Sequence, residues 1–287
     1  MQLIIRRKKK LNRSLLGDLL LFAFLGLVGA FMAMPLVYVV NNAFKPLDEL
    51  FLFPPRFFVR NPTFANFGDL FNLMANSWVP FSRYIFNTVF VTVAGTAGHL
   101  IVASAAAYPL AKYKFPGSGL LFHMVVLSLM FSATITAVPN YLIMSGLDWI
   151  NTYWAIIIPA MGYPLGMYLM KQFMEQLPDA LMEAAKIDGA SEYRIFWSIV
   201  MPNVKPAWLT LIILLMQQLW VTDGGLFIFD EQMKTMHFAL GQLVLGGLAR
   251  AGVGAAVALL LMSVPLILFI LSQAQILQTM TTSGMKD

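Results

Sequence analysis

Apolar residues in this chain come in long unbroken blocks rather than at a helical or strand period, and those blocks organise the sequence. Crossing a bilayer takes about 20 mostly apolar residues in a helix, because backbone groups away from water must bond one another. Six stretches meet that demand: 15–40, 84–110, 120–144, 153–170, 207–221 and 253–276. The fourth and fifth are the short ones, and Pro159, Gly162 and Pro164 predict an interruption in the fourth. Between these two lies a polar stretch, 171–205, containing EAAKIDGASEYRIFWSIVMP at 183–202. Spanning a membrane gives no reason for it.

Composition removes most other classes. The 287 residues are 59% hydrophobic and 11% charged, with mean hydropathy +0.73, whereas soluble domains average about 45–50% apolar and 25% charged. The chain therefore reads as an all-α polytopic membrane protein. With no cysteine, disulfides, thiolate metal ligands and cysteine nucleophiles are excluded together. His99, His123 and His237 lie far apart without ligand spacing, so no metal site is expected. The 23 Phe and 19 Met read as membrane packing, not as a cofactor box. No catalytic residue and no bound cofactor is expected in this chain.

The RRKKK near the N-terminus precedes an apolar run of about 26 residues, longer than the roughly 7–15 of a secretory signal, and no small-residue cleavage triplet follows. It reads as a retained first helix with an orienting basic flank that meets anionic lipid, not as a nucleic-acid site. With the N-terminus inside, thirteen Lys and Arg fall on the inner side and six on the outer. That bias predicts both termini, and the 171–205 loop, to be cytoplasmic. The expected organisation is a basic segment 1–14, a first helix 15–40, an external segment 41–83, a transmembrane core 84–276 and a cytoplasmic tail 277–287.

Inside the loop, Pro178 and Asp179 predict a helix start with Asp179 as N-cap, and ALMEAAKI continues it. Gly189 is placed to end that helix with a positive φ. Ser191 can cap a second short helix whose Tyr193, Phe196, Trp197 and Val200 share one face, and Pro202 limits it. Two short helices at an angle are predicted at the inner face of the membrane.

The spacing carries more than shape. Glu183-Ala184-Ala185, then Gly189, Ile199 and Pro202, with Met201 where Leu is usual, resembles the E-A-A-x3-G-x9-I-x-L-P signature of permease subunits of binding-protein-dependent ABC importers. The resemblance extends over residues 44–67, with Phe44-Lys45, Pro54-Pro55, Pro62-Thr63 and Asn66-Phe67, and over 87–117, with its Ala-Tyr-x-x-Ala-Lys-x-x-Phe-Pro-Gly exit. It is nearest to the carbohydrate-uptake subfamily and similar in architecture to the smaller permease of the maltose transporter. It implies the type I importer permease fold: six transmembrane helices with a cytoplasmic coupling-helix loop. It further implies that Glu183, Ala184, Ala185, Asp188, Gly189, Ile199 and Pro202 form the coupling element. In the family the glutamate pairs with a basic residue of the ATPase, the alanines allow close approach and the glycine makes the turn.

No Gly-Lys dipeptide occurs, so the chain has no P-loop to cradle nucleotide phosphates. ATP and Mg are expected on a separate ATPase. The implied partners are two ATPase subunits, a second and different permease, an extracytoplasmic solute-binding protein, membrane lipids and a carbohydrate, in a bacterial or archaeal cytoplasmic membrane. Candidate pathway residues are Thr134, Thr136, Asn140 and Tyr141 on the third span and Gln217, Gln218 and Trp220 on the fifth, polar or aromatic groups at membrane depth. Two alternatives stay open: a permease for a non-sugar solute, and an ion-driven secondary carrier. Against the carrier, the six spans hold no Asp or Glu apart from Asp18 at a helix edge. The family pattern also breaks after Trp220, at VTDGGLFIFDEQMKTM, and in the tail, where only Gly284 and Lys286 are kept.

Overall fold

The computed structural model describes residues 14–284 apart from 246, 248 and 249, so the basic N-terminal flank and Lys286 lie outside the described residues. Every regular element among those residues is helical. Three uninterrupted helices are long and apolar enough to cross a membrane: α1 (Leu15–Phe44), α4 (Phe81–Lys112) and the last helix, whose qualifying part is Ala251–Gln273. The other three expected spans are each built from two pieces. The third is α5 (Ser118–Ser128) and α6 (Ala133–Gly146), the latter capped by the Ser132 side chain. The fourth is α7 (Trp154–Met161) and α8 (Pro164–Glu175), parted at Gly162 and Tyr163 where Pro and Gly predicted a break.

The fifth span is preceded by a chain of short turns: α9 (Asp179–Ile187), α10 (Glu192–Ile195), a π-helical turn Phe196–Val200 and α11 (Met201–Asn203). Then α12 (Lys205–Trp220) leaves at 77° to Glu192–Asn203. The bend has a local cause. Pro206 has no N–H to donate into the preceding turn, and the carbonyl of Met201 is bonded by the Trp208 indole at 3.1 Å. After α12 come α13 (Met236–Val244) and α14 (Ala251–Gly284).

Helix α4 is the centre of the bundle, packing on α7, α8, α12 and α13. Its mid-point is fitted closely. His99 is buried, its Nδ1 donates to the Met161 carbonyl at 2.9 Å, and its ring lies edge-on to Tyr163. A Cβ on Gly166 of α8 would stand 1.8 Å from His99 Nε2, so these helices meet only because that position has no side chain. In contrast α1 buries Ala43 alone and leans on α14.

The segment after α1 is pinned by buried polar groups. In α2 (Leu47–Leu50), Glu49 accepts from the Arg60 and Asn61 amides, while Lys45 donates to Asn42 and to the Arg56 carbonyl. Asn66, in α3 (Ala65–Ala75), donates to the carbonyls of Ala43 and Lys45. Its amide also fills the space over Gly252 of α14, where a Cβ would lie 2.2 Å from Asn66 Oδ1.

Candidate functional site

The 176–204 stretch forms a compact projection from the bundle. Met182 and Ala185 of α9 are buried, packing with Met170, Met174, Ile195 and Val200 in one cluster that reaches Ala107 and Tyr108 of α4. The opposite side of α9 faces outward: Leu181 is 45% and Ile187 86% exposed, and Glu183, Ala184 and Asp188 are exposed with them. Glu183 makes no ion pair or hydrogen bond among the described residues. The helix therefore offers an acidic-edged apolar strip on one side and is rooted on the other.

Gly189 ends α9 with φ +76, and a Cβ there would meet nothing within 4 Å. The position thus demands glycine for backbone conformation alone. Ser191 Oγ accepts from the Arg194 amide and starts α10 as expected. Two details differ from expectation. The N-cap of α9 is Pro178, and Asp179 is the first helical residue, its carboxylate taken by Lys112 Nζ at 2.8 Å instead of by the helix's own amides. The second short helix buries Ile195, Phe196 and Val200, whereas Tyr193 is 76% and Trp197 40% exposed. The wide π turn at Phe196–Val200 shifts the facing of side chains, so a 3.6-residue period read across it selects the wrong partners. Of the signature's last positions, Ile199 is half-buried against the same cluster and Pro202 is exposed.

A group of side chains that sequence reasoning missed ties this projection to α4. Lys112 donates to the Leu177 carbonyl as well as to Asp179. Tyr108 Oη donates to Glu192 Oε2 at 3.1 Å, Tyr113 Oη donates to the same oxygen, and Lys186 Nζ reaches Glu192 Oε1 at 2.8 Å. The Lys186 ammonium also lies over the Tyr113 ring, 5.1 Å from its centre. The hydrogen bond from Lys112 holds the Asp179 carboxyl below its ordinary range. The bond to Glu192 raises Lys186 above its own, against a smaller opposing effect of burial. The one available signal was the Ala-Tyr-x-x-Ala-Lys run, which places Tyr108 and Lys112 one turn apart on one face of α4.

At the other end of α4 a second network forms. Asn87 is fully buried; its amide donates to the carbonyls of Gln232 and Lys234, both at 2.8 Å, and accepts from Tyr153 Oη at 2.7 Å. Thr88 Oγ1 accepts from the Met236 amide, Tyr84 Oη donates to Glu231, and Arg83 reaches the Gln232 carbonyl. Asn151, at φ +61, accepts from the amides of Phe229 and Asp230. The 221–235 connection is thus fastened to α4 and to the turn before α7.

The candidate pathway residues do not form one cluster. Thr134 and Tyr141 are exposed, and Thr136 and Asn140 half-buried, on an α6 that has no extended packing with α12 and touches the rest of the chain through features such as Tyr141 stacked on Phe227. Gln217 is half-buried and Gln218 exposed. Trp220 packs instead into the cluster of Leu70, Tyr84, Met236 and Leu240, its indole N–H buried without a protein acceptor. Among the described residues, no group of three or more acidic or imidazole side chains is placed to hold a metal.

A membrane helix bundle carrying a rooted, solvent-facing helix of this signature defines a transport permease. The family model for the binding-protein-dependent transport system inner membrane component matches residues 6–281, and the chain belongs to that family of integral inner-membrane permeases of ABC importers. It is 36% identical to Protein LplC of Bacillus subtilis (strain 168) over 228 residues, 77% of this chain and 74% of that one. It is 29% identical to the polygalacturonan/rhamnogalacturonan transport system permease protein YtcP of the same organism, covering 81% of this chain and 80% of that one. A chain in the crystal structure of a bacterial ABC transporter that imports the acidic polysaccharide alginate superposes with TM-score 0.78 at 20% identity, over 92% of this chain and 99% of that one. That likeness establishes the type I importer permease fold.

Proposed function

We propose that this chain is one of two different permease subunits of an ATP-driven carbohydrate importer, and that its α9 is the helix through which a cytosolic ATPase moves it. The permease supplies half of the translocation pathway and no chemistry. ATP and Mg belong to two ATPase subunits, and a solute-binding protein delivers the substrate from outside. A carbohydrate is favoured by the names of the relatives and by sugar-binding chemistry on α6, where Thr134 and Tyr141 are exposed and Asn140 half-buried. Thr134, Asn140 and Tyr141 offer hydrogen bonds and an aromatic face on a helix with little cover from its own chain, which suits a pathway lined jointly with the second permease. Both termini and the 171–205 loop are cytoplasmic in this reading, from the Lys and Arg bias.

The observation that carries the coupling role is the two-sidedness of α9: Met182 and Ala185 rooted, Leu181, Ala184 and Ile187 outward beside the unpaired Glu183. An element that couples two sites must make contacts that differ between global states, and a strip left open to a partner on a rigid base meets that need. The test uses the complete transporter in lipid vesicles. Gly189→Val forces a β-branched residue into positive φ at a cost of about 1–3 kcal/mol. It should leave the chain inserted and abolish substrate-stimulated ATP hydrolysis and uptake. Glu183→Lys should weaken the same coupling and be partly rescued by an acidic substitution on the ATPase. Normal transport by both variants in normally assembled complexes refutes the coupling role; a reporter fused after Lys205 that is active only outside the cell refutes the topology.

A further inference from the structure

The chain leads into α9 from α8 and out of it towards α12, but its polar anchors come from neither. They come from the end of α4: Lys112 holds Asp179 and the Leu177 carbonyl at the start of α9, while Tyr108 and Tyr113 hold Glu192, which in turn holds Lys186 at its finish. Both ends of a nine-residue helix are therefore gripped by one six-residue stretch of α4 and its exit, 108–113. The routes along the chain are interrupted. A π turn, a break at Val204 and a 77° bend separate α10 from α12. On the other side, Gln176 to Pro178 separate α8 from α9 without helix.

Helix α4, by contrast, is continuous for 32 residues, about 48 Å at 1.5 Å per residue. Its opposite end grips the 221–235 connection through Asn87 and the first residue of α13 through Thr88. We propose that Glu192 is a positioning residue that locks α9 to α4, so that movement of the coupling helix passes directly to α4 and, through Asn87 and Thr88, to the connection before α13. This rests on the coupling role given to α9 above. Glu192 suits the task because one carboxylate serves three donors from two elements. Lys186 bonds one oxygen, and the two tyrosines share the other. Replacing it by glutamine keeps one acceptor oxygen but turns the other into a donor and removes the charge, so Lys186 and the two tyrosines can no longer all be served; no cavity opens, since the Glu192 side chain is 53% exposed.

The experiment compares Glu192→Gln, Glu192→Lys, Lys186→Glu and the exchanged pair Lys186→Glu/Glu192→Lys in the whole transporter in vesicles, measuring ATPase co-purification, ATP hydrolysis and substrate molecules imported per ATP. Glu192→Gln and Lys186→Glu should keep the ATPase bound and hydrolysing, yet lower substrate imported per ATP by at least about fivefold, the small end of measured coupling effects. The exchanged pair restores the 186–192 charge pair, and its lysine at 192 can donate to the hydroxyl oxygens of Tyr108 and Tyr113; it should recover at least half of the loss, which a general weakening of the fold would not allow. An unchanged import per ATP in Glu192→Gln overturns the proposal, as does an exchanged pair no better than its parents. If Gly189→Val and Glu183→Lys both import normally while Glu192→Gln does not, the docking role of α9 fails and Glu192 acts on import as a tie between α9 and α4 alone.

Discussion

Asn87, near one end of α4, is fully buried and spends its whole amide on two backbone carbonyls and a tyrosine hydroxyl. At the other end, Lys112 and Tyr113 hold α9 through carboxylates that solvent reaches, the Asp179 side chain being 73% exposed and that of Glu192 53%. Neutral, dry bonds resist salt and pH and are costly to break, because the groups left behind are cut off from water. Exposed charged bonds are screened and exchange readily with water. One helix thus carries a fixed, dry joint at the far end and, at the loop end, a joint whose carboxylates lie open to solvent above a buried apolar root.

The largest blow to both joints should come from between them. Gly166→Ala puts a methyl group 1.8 Å from His99 Nε2, and such overpacking costs about 1–3 kcal/mol or more. The thermal unfolding midpoint of the purified complex should fall by several degrees, with hydrolysis and import failing together. Added to His99→Ala, the same change should cost markedly less than alone; full additivity would mean the two side chains do not collide.

Asn87→Ala should act next most strongly, stranding the carbonyls of Gln232 and Lys234 for a loss of about 1–3 kcal/mol. Asn87→Asp keeps the acceptor for Tyr153 and loses the donors, so it should be no more stable than Asn87→Ala at neutral pH. If either variant matches the wild-type midpoint, the far joint is not fixed in the sense used here.

Salt should separate the joints without any mutation. Raising ionic strength from about 0.05 to 0.5 M shortens the screening length to a few ångströms, which should lower import per ATP while leaving the unfolding midpoint nearly unchanged. Loss of stability in step with coupling would erase the distinction. The smallest effect is that of pH. Asp179 titrates below its ordinary range, so its contribution is complete above that range and is lost only as pH falls through the lowered value. Lys186 titrates above its own, so its contribution is complete below that value and is lost only as pH rises through the raised one. Import per ATP, corrected for the ATPase's own profile, should therefore be flat from about pH 6 to 8. A step inside that window would place another titrating group at the loop joint.

Much of this architecture was legible because its signals are local. Gly162 and Pro164 mark the gap between α7 and α8, although Pro159 is carried inside α7, and Gly189 after a helix-forming run takes the positive φ that its position demands. Ser191 needs only its own next turn to act as a cap. What escaped depends on distance in sequence. Tyr108 and Glu192 are 84 residues apart, and nothing near either announces the other. The apolar spacing of Tyr193 and Trp197 misled because the run passes into a π turn at Phe196, and a period assumes the geometry it is used to predict. Trp220 looked like a pathway aromatic for its neighbours Gln217 and Gln218, yet it turns into the cluster formed by α3, α4, α13 and α14.

The clamp of Asn66 over Gly252 sets an order of events in the making of the protein. It joins the end of α1, through the carbonyls of Ala43 and Lys45, to the first turn of α14. Helix α1 leaves the ribosome first and finds its lasting neighbour in this chain last, after more than 200 intervening residues have been made. Until Ala251 and its successors arrive, most of the first helix has only lipid beside it and is tethered at its end alone, by α3. Closure of that clamp is the step at which a string of inserted helices becomes one object.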